Sequence, residues 1–126
     1  MRQSMKTLTI ILTDGPYISE YAQIAYRIAF AALDRYKVNI FLYLDAVNIG
    51  RADQRPEVVK NEGLLFQELA ERGALIRACS RCSAARGYQA DEDGRAPELL
   101  PGILISSLYD LACMIEESHR VVALGR

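Results

Sequence analysis

Charge imbalance is missing from this 126-residue chain, in which 15 Lys and Arg stand against 16 Asp and Glu for a formal net charge of -1. Without a basic field there is no general electrostatic case for direct nucleic-acid binding or for an anionic membrane surface. A long apolar run is missing as well. The most apolar stretch, Ile24 to Leu33, is broken by Arg27, and a bilayer span takes about 20 consecutive apolar residues. It reads as a buried helix, and no membrane segment is expected. Cysteine is sparse and odd, three in all, which excludes a disulfide scaffold. With no secretory leader to read, mostly free thiols in a reducing cytoplasm are expected.

Metal ligands are scarce. A structural zinc site takes four N or S ligands. After Cys79 and Cys82 only Cys113 and the single histidine, His119, remain, both far along the chain, so neither a metal nor an organic cofactor is expected. His119 is placed at the C-terminal end of the last helix, where its charge suits the helix dipole, and is not assigned as a base. Phosphate-binding glycines are absent too. The first turn, Thr13-Asp14-Gly15-Pro16, has neither a G-x-G-x-x-G nor a Walker-type lysine, so nucleotide binding loses its motif.

What is present is an alternation of strands and helices, the pattern of a parallel sheet covered on both faces. The expected class is α/β: a three-layer α/β/α domain with a mostly parallel sheet of about five strands. Residues 1–126 form one domain that buries roughly two thirds of its unfolded surface, with residues 1–5 a frayed leader or alternative start. Strands are predicted at Leu8–Leu12, Val38–Leu44, Ala74–Ala78, Ile103–Ile105 and Val121–Leu124.

A first helix from about Ser19 to Asp34 carries Tyr21, Ile24, Ala25, Ile28 and Ala32 at helical spacing, with Ala22, Tyr26, Phe30 and Leu33 on its other side. Apolar nearly all round, it is expected to meet another subunit. A short helix around Leu64–Leu69 ends at Arg72-Gly73. Ser107 and Asp110 have capping-box spacing at the start of a last helix. Asn48 to Pro56 reads as an excursion too charged to be core, and Tyr88 to Pro101 as a mobile or partner-shaped loop.

Cys79-Ser80-Arg81-Cys82, where the third strand hands over to a helix, is the strongest chemical signal. A thiolate at a helix N-terminus is favoured by the backbone dipole and unpaired N–H groups, and Arg81 and Arg86 push the same way. In parallel sheets chemistry gathers beyond the carboxyl ends of the strands, so Asp14, Asp45 and Cys79 border one pocket. There the two carboxylates either orient a partner group or raise the thiol pKa. Asp14 and Asp45 have equally good structural readings as turn or cap residues, and Arg86 as a surface ion-pair partner. Cys113 reads as a small core hydrophobe.

In order and spacing, Ile11-Leu12-Thr13-Asp14-Gly15-Pro16, Phe41-Leu42-Tyr43-Leu44-Asp45-Ala46-Val47, Cys79 through Arg86-Gly87, and Ser107-Leu108-Tyr109-Asp110-Leu111 followed by Arg120-Val121-Val122 resemble the DsrE/DsrF-like sulfur-relay family, in particular its TusD-like members. The resemblance implies trimers or hexamers, or hetero-oligomers with related subunits, and sulfur-donor and sulfur-acceptor proteins as partners. It also implies a sulfur-carrying cysteine followed eight residues on by the glycine of an Arg-Gly pair, a spacing kept by Cys79 and Gly87. The implied function is a sulfurtransferase-like carrier of persulfide on Cys79. The chain departs from the pattern at Cys82, where such proteins carry a small residue. Cys82 is either a resolving thiol or a spare buried one. The alternatives are a non-catalytic assembly subunit and a Cys-x-x-Cys dithiol redox protein. A thioredoxin-like placement does not fit, because the pair follows the third strand and not the first.

Overall fold

The computed structural model describes residues 5–126; of the leader expected over residues 1–5, all but Met5 lies outside them. The continuous apolar run at the start forms β1 (Lys6–Leu12), followed by α1 (Tyr21–Ala32), β2 (Tyr36–Leu42), a 3-10 segment (Leu44–Gly50), α2 (Glu62–Glu71) and β3 (Leu75–Cys79). Next come α3 (Ser80–Ala85), β4 (Ile103–Ser106), α4 (Leu108–Glu117) and β5 (Arg120–Leu124). All five strands are parallel, in the order β4-β3-β2-β1-β5. The expected three-layer α/β/α fold is therefore present, with a sheet that is wholly parallel.

The order of strands decides where the helices lie. From β1 to β4 each step moves one place in the same direction, and the last crossover returns past all of them to put β5 beside β1. Right-handed crossovers then place α1 and α2 on one face and α4 on the other. In agreement, α1 packs on α2, β1 and β2, while α4 packs on β1. The strand order reverses between β1 and β5, so the topological switch point lies there and not beside β3.

Register aligns Ile10, Ile40, Ile76 and Ile103 across four strands, and all four are buried. The central strand β2 is buried without a break from Val38 to Leu42, as expected where both faces are covered. The buried side of α1 is Ala22, Ala25 and Ala29. Of the expected stripe, Ala25 is buried and Tyr21, Ile28 and Ala32 pack against the core, while Ile24 does not; Ala22 and Ala29 complete the inner face. Ile24 and Phe30 face outward, and the Arg72 guanidinium lies 4.7 Å from the Phe30 ring centre.

Local chemistry sets the boundaries of the helices. Asn61 caps α2 by accepting the Leu64 N–H at 3.1 Å, and Gly73 takes the left-handed φ of +109° that ends it. The capping box of α4 forms as predicted, with Ser107 Oγ accepting from the Asp110 N–H and Asp110 Oδ2 accepting from the Ser107 N–H.

Three expectations are corrected. Ile49 and Gly50 are buried, so the segment from Asn48 contributes to the core before it turns polar at Arg51. The stretch from Tyr88 to Pro101 is anchored, because Tyr88, Ala96 and Leu99 are buried and Gly94 packs so closely that a Cβ would come within 2.5 Å of the Ile105 carbonyl oxygen. His119 follows Ser118, the C-cap of α4, and its ring is turned to β1 and not to the helix end. Its Nδ1 accepts the Thr7 N–H at 3.0 Å and its own N–H donates to the Thr7 carbonyl, joining the start of β5 to β1.

Candidate functional site at the carboxyl edge of the sheet

Cys79 ends β3 and is the N-cap of α3. The short run Ser80, Cys82, Ser83, Ala84, Ala85 holds only small side chains beside exposed Arg81, so this helix can tuck tightly over the strand it follows. Both Cys79 and Cys82 are free thiols. The expected place of Cys79 on the border of a pocket is corrected, because both sulfurs are covered: Cys79 has 0% exposure and Cys82 8%. The physical reason is the 3-10 segment after β2, which packs against both β3 and α3.

Leu44 opens that segment with a left-handed φ of +54°, unusual for a branched residue. Its N–H donates to Cys82 Sγ at 3.2 Å. Burial and the neighbouring Cys79 thiol push the Cys82 pKa up, while the Leu44 N–H and the Arg86 charge oppose them without prevailing. Cys82 is therefore held as a neutral thiol.

Arg86 and Asp45 come together above this pair. Arg86 Nη2 and Nε donate to Asp45 Oδ1 at 2.5 and 3.2 Å, and Arg86 Nη1 donates to the Cys82 carbonyl at 2.9 Å. One guanidinium thus ties the end of α3 to the start of the 3-10 segment. Arg81 is exposed and has no hydrogen bond or ion pair among the described residues, so it does not join the cluster.

Asp14 shares the edge but not the chemistry. It accepts from Ser19 Oγ at 2.6 Å and from the backbone N–H and Nε of Arg126 at 3.3 and 3.1 Å. The Ser19 hydrogen bond first, then those of Arg126, hold its carboxyl below the ordinary range against the opposing effect of burial. The turns themselves do converge, since a Cβ on Gly15 would lie 3.1 Å from the Asp45 carbonyl oxygen. Asp14 nevertheless has no contact with either thiol among those described, which corrects its expected place beside them.

Among the described residues, no cluster of three His, Cys, Asp or Glu side chains could hold a metal ion. Cys113 lies half-buried on α4. No helix of the described residues is long and apolar enough to cross a membrane.

Sequence reasoning missed several contributors to this edge. Leu44 and Ser83 lie within stretches that carry the family resemblance but have no assigned role there, and Arg126 and Ser106 lie outside those stretches. Two signals existed: Ser83 falls four residues after Cys79, one helical turn on, and Ser106 ends the strand that precedes the capped last helix.

The fold and the site define a class: a parallel α/β domain, covered on both faces, with a free thiol pair where its third strand ends. The chain belongs to the DsrE/DsrF-like family, whose model matches residues 6–124, and whose members generally act in sulfur relay. It is 33% identical over 121 residues to the uncharacterized protein MK0008 of Methanopyrus kandleri, covering 95% of each chain. To the uncharacterized protein MJ0989 of Methanocaldococcus jannaschii it is 34% identical over 115 residues, covering 90% of this chain and 96% of that one. The crystal structure of the YchN protein of E. coli shares the fold with a TM-score of 0.84 at 24% identity, covering 95% of this chain and 100% of that one.

Proposed function

We propose that this protein is a sulfurtransferase-like carrier that accepts sulfane sulfur on Cys79 from a donor protein and yields it to an acceptor cysteine. The observation that carries the reading is the free Cys79–Cys82 pair at the carboxyl end of β3 in a chain of this family. In the loading step the Cys79 thiolate attacks the outer sulfur of a donor persulfide, R–S–SH. A new S–S bond forms, the donor S–S bond breaks, and its electron pair leaves on the donor thiolate, giving Cys79–S–SH and R–S⁻ with no net redox change. Unloading repeats this exchange with the acceptor thiolate. No metal or cofactor takes part.

Because Cys79 is buried, α3 parts from the 3-10 segment before exchange, either in a local opening that admits a small persulfide or under a docked partner. The exposed carboxylate of Asp45, with its side chain 61% accessible, is the reachable half of the Asp45–Arg86 clasp. A donor that competes for either charge opens the way. Free thiols at both positions suit a reducing cytoplasm, and the outward Ile24 and Phe30 of α1 suit assembly into a trimer or hexamer, or with related subunits.

A second step is favoured by the placement of Cys82 beside Cys79. Attack of the Cys82 thiolate on the inner sulfur of the Cys79 persulfide would give a Cys79–Cys82 disulfide and release HS⁻, balanced without a further reductant. The raised pKa of Cys82 keeps this step slow at neutral pH and faster in alkali.

Incubation with a small-molecule persulfide followed by intact-mass measurement tests the reading. One added sulfur is expected on the native chain and on Cys113→Ser, and none on Cys79→Ser. Uptake that survives Cys79→Ser overturns the assignment, and no uptake by the native chain in the presence of its partners favours a non-catalytic assembly subunit.

A further inference from the structure

We propose that Ser83 and Ser106 are positioning residues whose hydroxyls hold the terminal sulfur of a persulfide on Cys79; this rests on the carrier reading above. Both hydroxyl oxygens are buried and have no hydrogen-bond partner in the protein, and Ser83 is fully buried as a residue. A buried hydroxyl without a partner is uncommon and destabilising. The third such atom, Asn39 Oδ1, lies mid-strand on β2. The two serines instead belong to the strand paired with Cys79 and to the helix that Cys79 caps.

Ser106 is the register partner of Cys79 across the β3–β4 pair. Register partners on neighbouring parallel strands project to the same face, with backbones about 5 Å apart. Ser83 lies just past the first turn of α3, four residues after its N-cap Cys79. The sulfur therefore has a hydroxyl on the adjacent strand and another on the helix it caps, at the carboxyl edge where parallel α/β sheets gather ligands.

Neither hydroxyl bonds the resting thiol. A persulfide extends the side chain by one atom, about 2 Å farther, and carries at that atom the negative charge that a hydroxyl donor favours. Neutral donors suit a carrier, because they hold the charge without the lasting neutralisation an arginine would impose. The nearest cation, Arg86, is already engaged by Asp45 and the Cys82 carbonyl.

The test loads the native chain, Ser83→Ala, Ser106→Ala and the double variant with a small-molecule persulfide, then strips them with excess cyanide and follows thiocyanate. In that step Cys79–S–S⁻ and CN⁻ give Cys79–S⁻ and SCN⁻. Equal initial loading is expected, with each single variant losing sulfur several-fold faster and the double variant tenfold or more, on the order of one or two lost hydrogen bonds to a charged group. Ser106→Thr, which keeps the hydroxyl, should restore the native rate. Melting temperatures of the unloaded variants should be unchanged or raised, because alanine removes an unpaired polar group. Equal stripping rates in all fully loaded forms, or a melting temperature lowered by several degrees in both single variants, would overturn the assignment. Full loading with equal stripping leaves the carrier reading standing, whereas no loading of the native chain removes that reading and the serine assignment together.

Discussion

Asp14 and Asp45 end neighbouring strands at the same edge, yet their surroundings differ. The Asp14 side chain is 9% exposed and fully engaged by Ser19 and Arg126, whereas that of Asp45 is 61% exposed and meets a single guanidinium. The first carboxylate fastens the turn after β1 to the end of the chain. The second fastens a lid over two thiols, where a partner can reach it. The same residue type just beyond two neighbouring strands thus serves structure or access according to which partner is free to leave.

The largest effect that bears on this contrast is at the thiols. Cys79→Ser should abolish sulfur loading outright, while Asp14→Ala should leave the loaded fraction of folded protein unchanged in the same intact-mass assay. Next in size is stability. Asp14→Ala strands the Ser19 hydroxyl and frees Arg126, and should lower the melting temperature by several degrees in a thermal scan.

Asp45→Ala breaks a largely exposed ion pair of about 0–1 kcal/mol, so its melting temperature should barely move. It should instead increase the rate at which a thiol-alkylating reagent labels Cys82 several-fold at neutral pH. Equal labelling of Asp45→Ala and the native chain would remove the clasp from the proposal.

The smallest effects are on pH dependence, and they have opposite signs. The Asp14 pKa is lowered on folding. Its contribution is therefore present above the ordinary carboxylate value of 3.8 and is lost as pH falls through the lower folded value. Asp14→Asn should flatten the acid limb of a denaturation profile. The Cys82 pKa is raised above 9.0, so its contribution is complete below that pH and is lost as pH rises through the folded value. Cys82→Ala should flatten the alkaline limb and leave the acid limb unchanged.

Legibility in the sequence followed the range of the interaction. The β1 run, the capping box at Ser107 and Asp110, and the Arg72-Gly73 helix end were readable because each depends on residues within a turn of one another. The inner face of α1 was legible at Tyr21, Ala25, Ile28 and Ala32 but not at Ile24: Ile24 and Ala22 both fit helical periodicity, and only the space above the sheet selects alanine. At the site, Cys79 and Cys82 were found by their spacing. Leu44, 38 residues before Cys82, and Arg126, 112 residues after Asp14, had no local signal, because such contacts arise from strand order.

The sequence by itself determined the alternating α/β pattern, the thiol pair at the end of β3 and the family to which the chain belongs, since periodicity and short-range spacing are written in consecutive residues. Tertiary structure alone decided that Cys79 is covered, that Arg86 takes Asp45 while Asp14 takes Arg126, and that Ser106 stands beside Cys79. Strand order and crossover hand bring distant residues into contact, and burial follows from what the rest of the chain places on top.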